Sequence, residues 1–229
     1  MQDEVEKALR RLQWQGPRIL AAGRTDSGVH ATGQVIAFDL DWRHSSDDLR
    51  QALNACLPRD IVARQVRQVN SHFNPRRDAR SRQYQYRIFS QDVRDPLRER
   101  YAWRVWPPAE LGLLQQAASA LTGRHDFLAF GTPPQAGGST LRTVIQAGWQ
   151  KTEEGLEFGV TADAFLYHMA RRMVALQVAI GQKQTDLLTL AVYLDPLQAV
   201  SENYVQGLAP PQGLCLTAVD YPAEKLALD

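Results

Sequence analysis

The densest set of chemically capable residues in this sequence is Ala22-Gly23-Arg24-Thr25-Asp26-Ser27-Gly28-Val29-His30-Ala31-Thr32-Gly33-Gln34. Three glycines within eleven residues follow an apolar run, so the backbone there can turn sharply and approach a ligand closely. The stretch is not a phosphate loop, because no Gly-Lys-Ser or Gly-Lys-Thr follows, and it is not GxGxxG. Arg24 and Asp26 stand two apart. In a tight turn such a pair either stabilises the turn or sets a catalytic carboxylate beside a substrate-binding arginine. A hydrolase working through two carboxylates needs a second acid. Asp39 and Asp41 are the nearest candidates, and they sit on or after a strand, which weakens that reading. His30 and His168 read as hydrogen-bonded framework groups, and neither is assigned as a base. Cys56 and Cys215 lie in apolar patterns and read as buried thiols of a reducing compartment. With no CxxC and no HxxxH, no structural zinc is expected.

The net charge of +1 conceals an asymmetry. From Arg76 to Arg104 nine arginines face four acidic residues, a surplus of five positive charges. From Gln150 to Asp229 five basic residues face ten acidic ones, a surplus of five negative charges. A basic zone on a nearly neutral protein is the footprint of a polyanion site or a solvated arginine-rich surface. At about 150 residues per domain, 229 residues allow one or two domains. The apolar share of 44% supports a sizeable core, which excludes a disordered chain or a small disulfide scaffold. No apolar run reaches the roughly 18 residues of a membrane span. Met1 to Arg11 is charged and helical in pattern, unlike a signal peptide.

The elements that must position these residues follow from periodicity. Val5, Ala8, Leu9 and Leu12 predict an amphipathic helix over 2–13, ended by Gly16-Pro17. Short strands are expected at 18–22 and 34–40, on either side of the Gly-rich stretch. Ser45-Ser46-Asp47-Asp48 is a helix-capping signal. Leu49, Ala52, Leu53 and Cys56 form the buried stripe of the helix it opens, and Pro58 stops it. Strands are expected at about 60–69 and 80–90. In the latter, Tyr84, Tyr86 and Ile88 alternate with Gln83, Gln85 and Arg87. Pro107-Pro108 then punctuates the chain, and the domain boundary is placed there, giving an N-terminal half 1–106 and a C-terminal half 107–229. The second half reads as a helix at 109–122, a Pro/Gly loop at 131–138, strands at 141–151 and 155–163 and a helix at 166–180. Shorter helices follow at 185–194 and 196–204, before a last strand at 214–220. Paired strands flanked by single helices, occurring twice, indicate an α+β fold of two halves with antiparallel sheets.

Gly23-Arg24-Thr25-Asp26-Ser27-Gly28-Val29-His30-Ala31 resembles the GRTDAGVHA signature of the tRNA pseudouridine synthase A family, differing only at Ser27. Four further segments are similar, in the same order. Asn54 to Ile61 resembles N-x-x-LPxDI, Ser81 to Tyr86 resembles an R-x-Y-x-Y strand, Ala164 to Arg171 resembles AFLxHMVR, and Gly213 to Pro222 resembles GLxLxxVxYP. Minor matches are His125-Asp126-Phe127 and Leu141-Arg142-Thr143. The resemblance implies the pseudouridine synthase fold, two ferredoxin-like halves around a central cleft. It implies a cytoplasmic, cofactor-free homodimer that isomerises uridines 38–40 of the tRNA anticodon arm.

By the same resemblance, Asp26 matches the catalytic aspartate and Arg24 an arginine that helps extrude the target base. Tyr84 matches the tyrosine packing on the uracil, Arg171 the arginine pairing with the aspartate, and Leu214 a leucine lining the base pocket. The chemistry suits these residue types. Breaking C1′–N1 and making C1′–C5 involves no redox change. The carboxylate can attack the sugar or the base, or assist glycal formation. Desolvation favours its protonated form and an arginine opposes that. The freed uracil needs a flat apolar clamp, and a paired uridine must leave its stack. Arg76, Arg77, Arg80 and Arg82 are candidates for the phosphates. The family carries a strand with YDG and GWQ elements ahead of its first helix, and no such segment precedes Gln2 here. Were that strand absent from the fold, a sheet edge would be exposed. The alternative expectation is then a catalytically impaired tRNA-binding relic. Gln83, Ala170 and Arg172 are smaller departures.

Overall fold

The computed structural model describes residues 1–195 and 205–227, so the helix expected at 196–204 lies outside the described residues. In chain order the elements are α1 (Gln2–Arg11), β1 (Leu20–Ala21), β2 (His30–Ala31), β3 (Ile36–Ala37), α2 (Ser46–Cys56), β4 (Ser81–Phe89) and β5 (Trp103–Arg104). They continue with α3 (Leu111–Ala120), β6 (Gly123–Asp126), β7 (Leu141–Thr152), β8 (Gly155–Ala162), α4 (Met169–Gly181), α5 (Leu187–Leu194), β9 (Leu214–Asp220) and α6 (Ala223–Leu226). The mixed α and β content agrees with the expected fold class. No helix among the described residues is long and apolar enough to cross a membrane.

The chain divides into two units that interleave along the sequence. The first comprises 1–24, 35–79 and 221–229. In it α1 and α2 bury Leu9, Leu49 and Leu53 with Trp14 and Ile19. The α2 start is the capping box expected at Ser45: its side chain accepts from the Asp48 N–H, and Asp48 Oδ2 accepts from the Ser45 N–H. Pairing of the strand expected at 34–40 reaches only Ile36–Ala37, against Leu20–Ala21. The strand expected at 60–69 does not form. The Asn54 side-chain amide donates to Ala63 O at 2.9 Å and accepts from Ala63 N at 2.7 Å, taking both groups a ladder would need.

The second unit comprises 25–34 and 80–220. Its seven-stranded sheet runs β2-β9-β4-β8-β7-β6, with β5 joined to β4. The β4–β8 and β7–β8 pairs are antiparallel over long registers, for example Tyr86↔Phe158 and Trp149↔Phe158. Helices α3 and α4 carry Leu114, Met169, Met173 and Ile180 into the core of this unit, with Tyr86, Ile88, Phe127 and Phe130. None of the four junctions between units falls at Pro107-Pro108. That dipeptide breaks the chain locally, but β4 before it and β8 after it share one ladder, so both sides belong to one unit. Cys56 and Cys215 are free and only half-buried.

Candidate active site

Asp26 opens a turn closed by the Val29 N–H donating to Asp26 O at 3.1 Å. Gly28 holds φ +82°, the positive value that a type II turn needs at its third residue. The glycine-rich stretch ends in pairing with the sheet. His30 and Ala31 form β2, which pairs in parallel with Cys215 and Leu216 of β9. The N–H groups of Thr32 and Gly33 then both donate to Leu216 O, at 2.9 and 3.1 Å. A Cβ on Gly33 would stand 2.1 Å from Thr217 O, so only glycine allows this approach. Asp26 is thus fixed to the strand that carries Leu214.

Its partner comes from α4. That helix begins at Met169, not at 166, because the preceding residues are held otherwise. Asp163 Oδ1 accepts from the N–H groups of Thr143 and Ala164, and the Tyr167 N–H donates to Thr132 O at 2.9 Å. His168 caps the helix in the left-handed region at φ +68°. It therefore lies outside the helix in which the spacing had placed it. Arg171 falls in the first turn and is buried. Its Nη1 donates to Asp26 Oδ2 at 2.7 Å and its Nε to Ala209 O at 2.7 Å. A buried cation at a helix N-terminus is opposed by both desolvation and the helix dipole. The Asp26 carboxylate offsets both at once, since an anion is favoured at that end.

Tyr84 stands on β4 beside an irregularity in the β4–β9 ladder: Gln83 faces Ala218 but Tyr84 faces Leu216, so Thr217 is the extra residue. Such bulges re-aim neighbouring side chains. Tyr84 packs against the core with its ring edge-on to Phe165, centroids 4.9 Å apart. Burial pushes its phenol up to about 12; Arg82 opposes this and Asp26 adds to it. Tyr86, next on the same face, is fully buried and donates to Pro210 O at 2.8 Å. Leu214 is buried and stands opposite Tyr86 in the ladder.

The structure therefore brings Asp26, Arg171, Tyr84 and Leu214 into one unit. Arg24 is exposed, and its guanidinium makes no hydrogen bond or ion pair among the described residues. The basic zone is less free than its charge suggested. Arg94 and Arg104 pair with Glu99, Arg87 pairs with Glu157, and Arg98 donates to Glu154 O and lies over the Phe89 ring. Arg76, Arg77 and Arg80 are exposed, whereas Arg82 donates to Asp163 O at 2.9 Å. His30 is the framework group expected, bonded to Arg100 O. His168 is not: its Nε2 lies 3.5 Å from Asp26 Oδ2. Its place was legible only as one residue of the Ala164–Arg171 block. Among the described residues no three His, Cys, Asp or Glu side chains cluster as metal ligands.

The Tyr84 phenol gives a testable pH effect. Its folded value, about 12, lies above the ordinary 10, so the stabilisation is full below pH 10 and is lost as pH rises through 12. The stability difference between the parent and Tyr84→Phe, measured by urea unfolding, should be flat below pH 10 and shift against the parent between 10 and 12. A pH-independent difference would contradict this burial.

A family profile described as tRNA pseudouridine synthase matches residues 1–76 and 117–222. The chain is 38% identical over 225 residues to the tRNA pseudouridine synthase A of Moorella thermoacetica, covering 96% of this chain and 89% of that protein. It is 36% identical over 232 residues to the protein of that name from Geobacillus kaustophilus, covering 99% and 87%. It is 35% identical over 226 residues to the one from Geotalea daltonii, covering 96% and 89%. With the profile spanning most of the chain and these relatives aligned nearly end to end, the chain belongs to the tRNA pseudouridine synthase family.

Proposed function

We propose that the protein converts uridine to pseudouridine at positions 38–40 of the tRNA anticodon arm, with no cofactor. The observation that carries this reading is the Asp26–Arg171 pair at 2.7 Å, in the same unit as the Tyr84 ring. The reaction breaks C1′–N1 and forms C1′–C5, and the proton displaced from C5 is balanced by one gained at N1. Asp26 is the catalytic carboxylate, oriented by the hydrogen bond from Arg171. Tyr84 packs on the uracil while it turns, a contact worth about 1–3 kcal/mol for base–aromatic stacking. Leu214 lines the base pocket and Arg24, whose guanidinium is uncommitted among the described residues, helps extrude the nucleotide. Arg76, Arg77, Arg80 and Arg82 hold phosphates. The finer architecture belongs to the same proposal: two ferredoxin-like halves, in a homodimer acting on tRNA in the cytoplasm. The relic alternative is not favoured, because the described residues assemble aspartate, arginine and tyrosine in one unit.

Incubation with an unmodified tRNA transcript carrying uridine at 38–40, followed by mass spectrometry, should show pseudouridine. Asp26→Asn should bind the tRNA and form none. Arg171→Ala should lose activity near neutral pH, and Arg171→Lys should fall between, keeping charge but losing the planar two-point contact. Asp26→Asn turning over at more than about one-thousandth of the parent rate, a barrier change of roughly 4 kcal/mol, would remove Asp26 from this role. A second measurement addresses the RNA surface. Charge reversal at two of Arg76, Arg77 and Arg80 should weaken tRNA binding. It should lower the log–log salt slope by roughly 0.7–0.9 per lost phosphate contact. An unchanged slope would move the RNA elsewhere.

A further inference from the structure

Two side chains address the same oxygen of Asp26. Arg171 Nη1 donates to Oδ2 at 2.7 Å, and His168 Nε2 stands 3.5 Å from that atom. No donor among the described residues reaches Oδ1. The one sealed, unpartnered side-chain atom among the described residues is Arg142 Nε, so Oδ1 is not fully sealed from solvent. The two oxygens of one carboxylate are therefore inequivalent: one is held and one is presented.

His168 is also built into place. It takes a left-handed backbone at φ +68°, which is uncommon for a residue with a Cβ and is sustained only where the surroundings enforce it. Its ring stacks on Tyr167 at 3.7 Å with an interplanar angle of 28°. Tyr167 is pinned in turn by its backbone bridge to Thr132. The imidazole is thereby clamped between an aromatic face and the carboxylate, and the strained backbone brings it there.

We propose that His168 is a positioning residue that, with Arg171, holds Oδ2 of Asp26 and so leaves Oδ1 as the oxygen that meets the nucleoside. The proposal rests on the functional reading above and names the reactive atom within it. The charged groups that bear on His168 are Asp26 from the Gly-rich loop and Arg171 and Arg172 from α4. Burial holds its pKa below the ordinary 6.5, Asp26 opposes that, and the two arginines reinforce it. The imidazole is then neutral at pH 7 and gains charge only as pH falls below 6.5. Protonation places a second cation on Oδ2.

Two experiments test this. In the first, His168→Phe keeps a ring on Tyr167 and removes Nε2, while His168→Gln restores a polar group. For His168→Phe, kcat for pseudouridine formation should fall about ten- to a hundredfold, the cost of misplacing a reacting group. KM should stay within about twofold, because tRNA binding is untouched. His168→Gln should recover part of the loss. A His168→Phe kcat equal to that of the parent would overturn the proposal. The second experiment needs no His168 variant. The His168 ring signals, followed by NMR against pH, should titrate below 6.5 in the parent and lower still in Asp26→Asn, which removes the group that raises the value. An unmoved midpoint would overturn the contact itself. A parent that forms no pseudouridine but shows the shift would overturn the functional reading and leave the contact standing.

Discussion

The Asp26–Arg171 ion pair is the constraint around which the second unit is arranged. Both side chains are largely withdrawn from solvent, Asp26 at 15% and Arg171 at 11% exposure. Losing one partner of such a pair costs about 3–5 kcal/mol, because the other charge is left uncompensated. Neither residue can be placed without the other. Arg171 lies in the first turn of α4, where a cation is disfavoured, and its Nε is committed to Ala209 O. Asp26 lies in a turn that requires a positive φ at Gly28 and is tethered to β9 within seven residues. The pair joins residues 145 apart in the chain.

The sheet serves this pair more than it serves itself. Strand β9 receives β2 on one side and β4 on the other, so the loop of Asp26 and the strand of Tyr84 flank the same seven residues. The extra residue at Thr217 lets β4 change its register just where Tyr84 leaves the ladder. It also meets the backbone at Gly33, where no side chain fits. Tyr86, one step along the same face, is sealed in the core with its hydroxyl on Pro210 O. The difference between Tyr84 and Tyr86 is one of depth. The first keeps a hydroxyl without a partner among the described residues, and the second spends its hydroxyl on the segment that also anchors Arg171.

What was legible in the sequence was what short-range chemistry decides. The period-two alternation of Tyr84, Tyr86 and Ile88 marked β4, and the Ser45–Asp48 capping box marked the start of α2. The strands of β7 and β8 fell within a residue or so of their expected ends. What was missed depends on partners far away in the chain. Strand β2 is two residues long inside a Gly-rich stretch, and only β9 makes it a strand. A strand was expected at 60–69, yet the Asn54 amide occupies Ala63 first. His168 has a helical spacing to Arg171, but its backbone is left-handed, set by Tyr167 on Thr132 rather than by periodicity. The pairing of Asp26 with Arg171 came from the family resemblance, since nothing in their spacing relates them.

The most direct test of the pair's place at the centre is a double-mutant cycle on unfolding free energy, using Asp26→Asn, Arg171→Leu and the combined variant. If the pair holds the unit as described, the two single substitutions will be strongly non-additive, with a coupling of about 2–5 kcal/mol, and the double variant will be little worse than the poorer single one. Additivity within about 0.5 kcal/mol would show that the two side chains do not depend on one another, and would contradict the account.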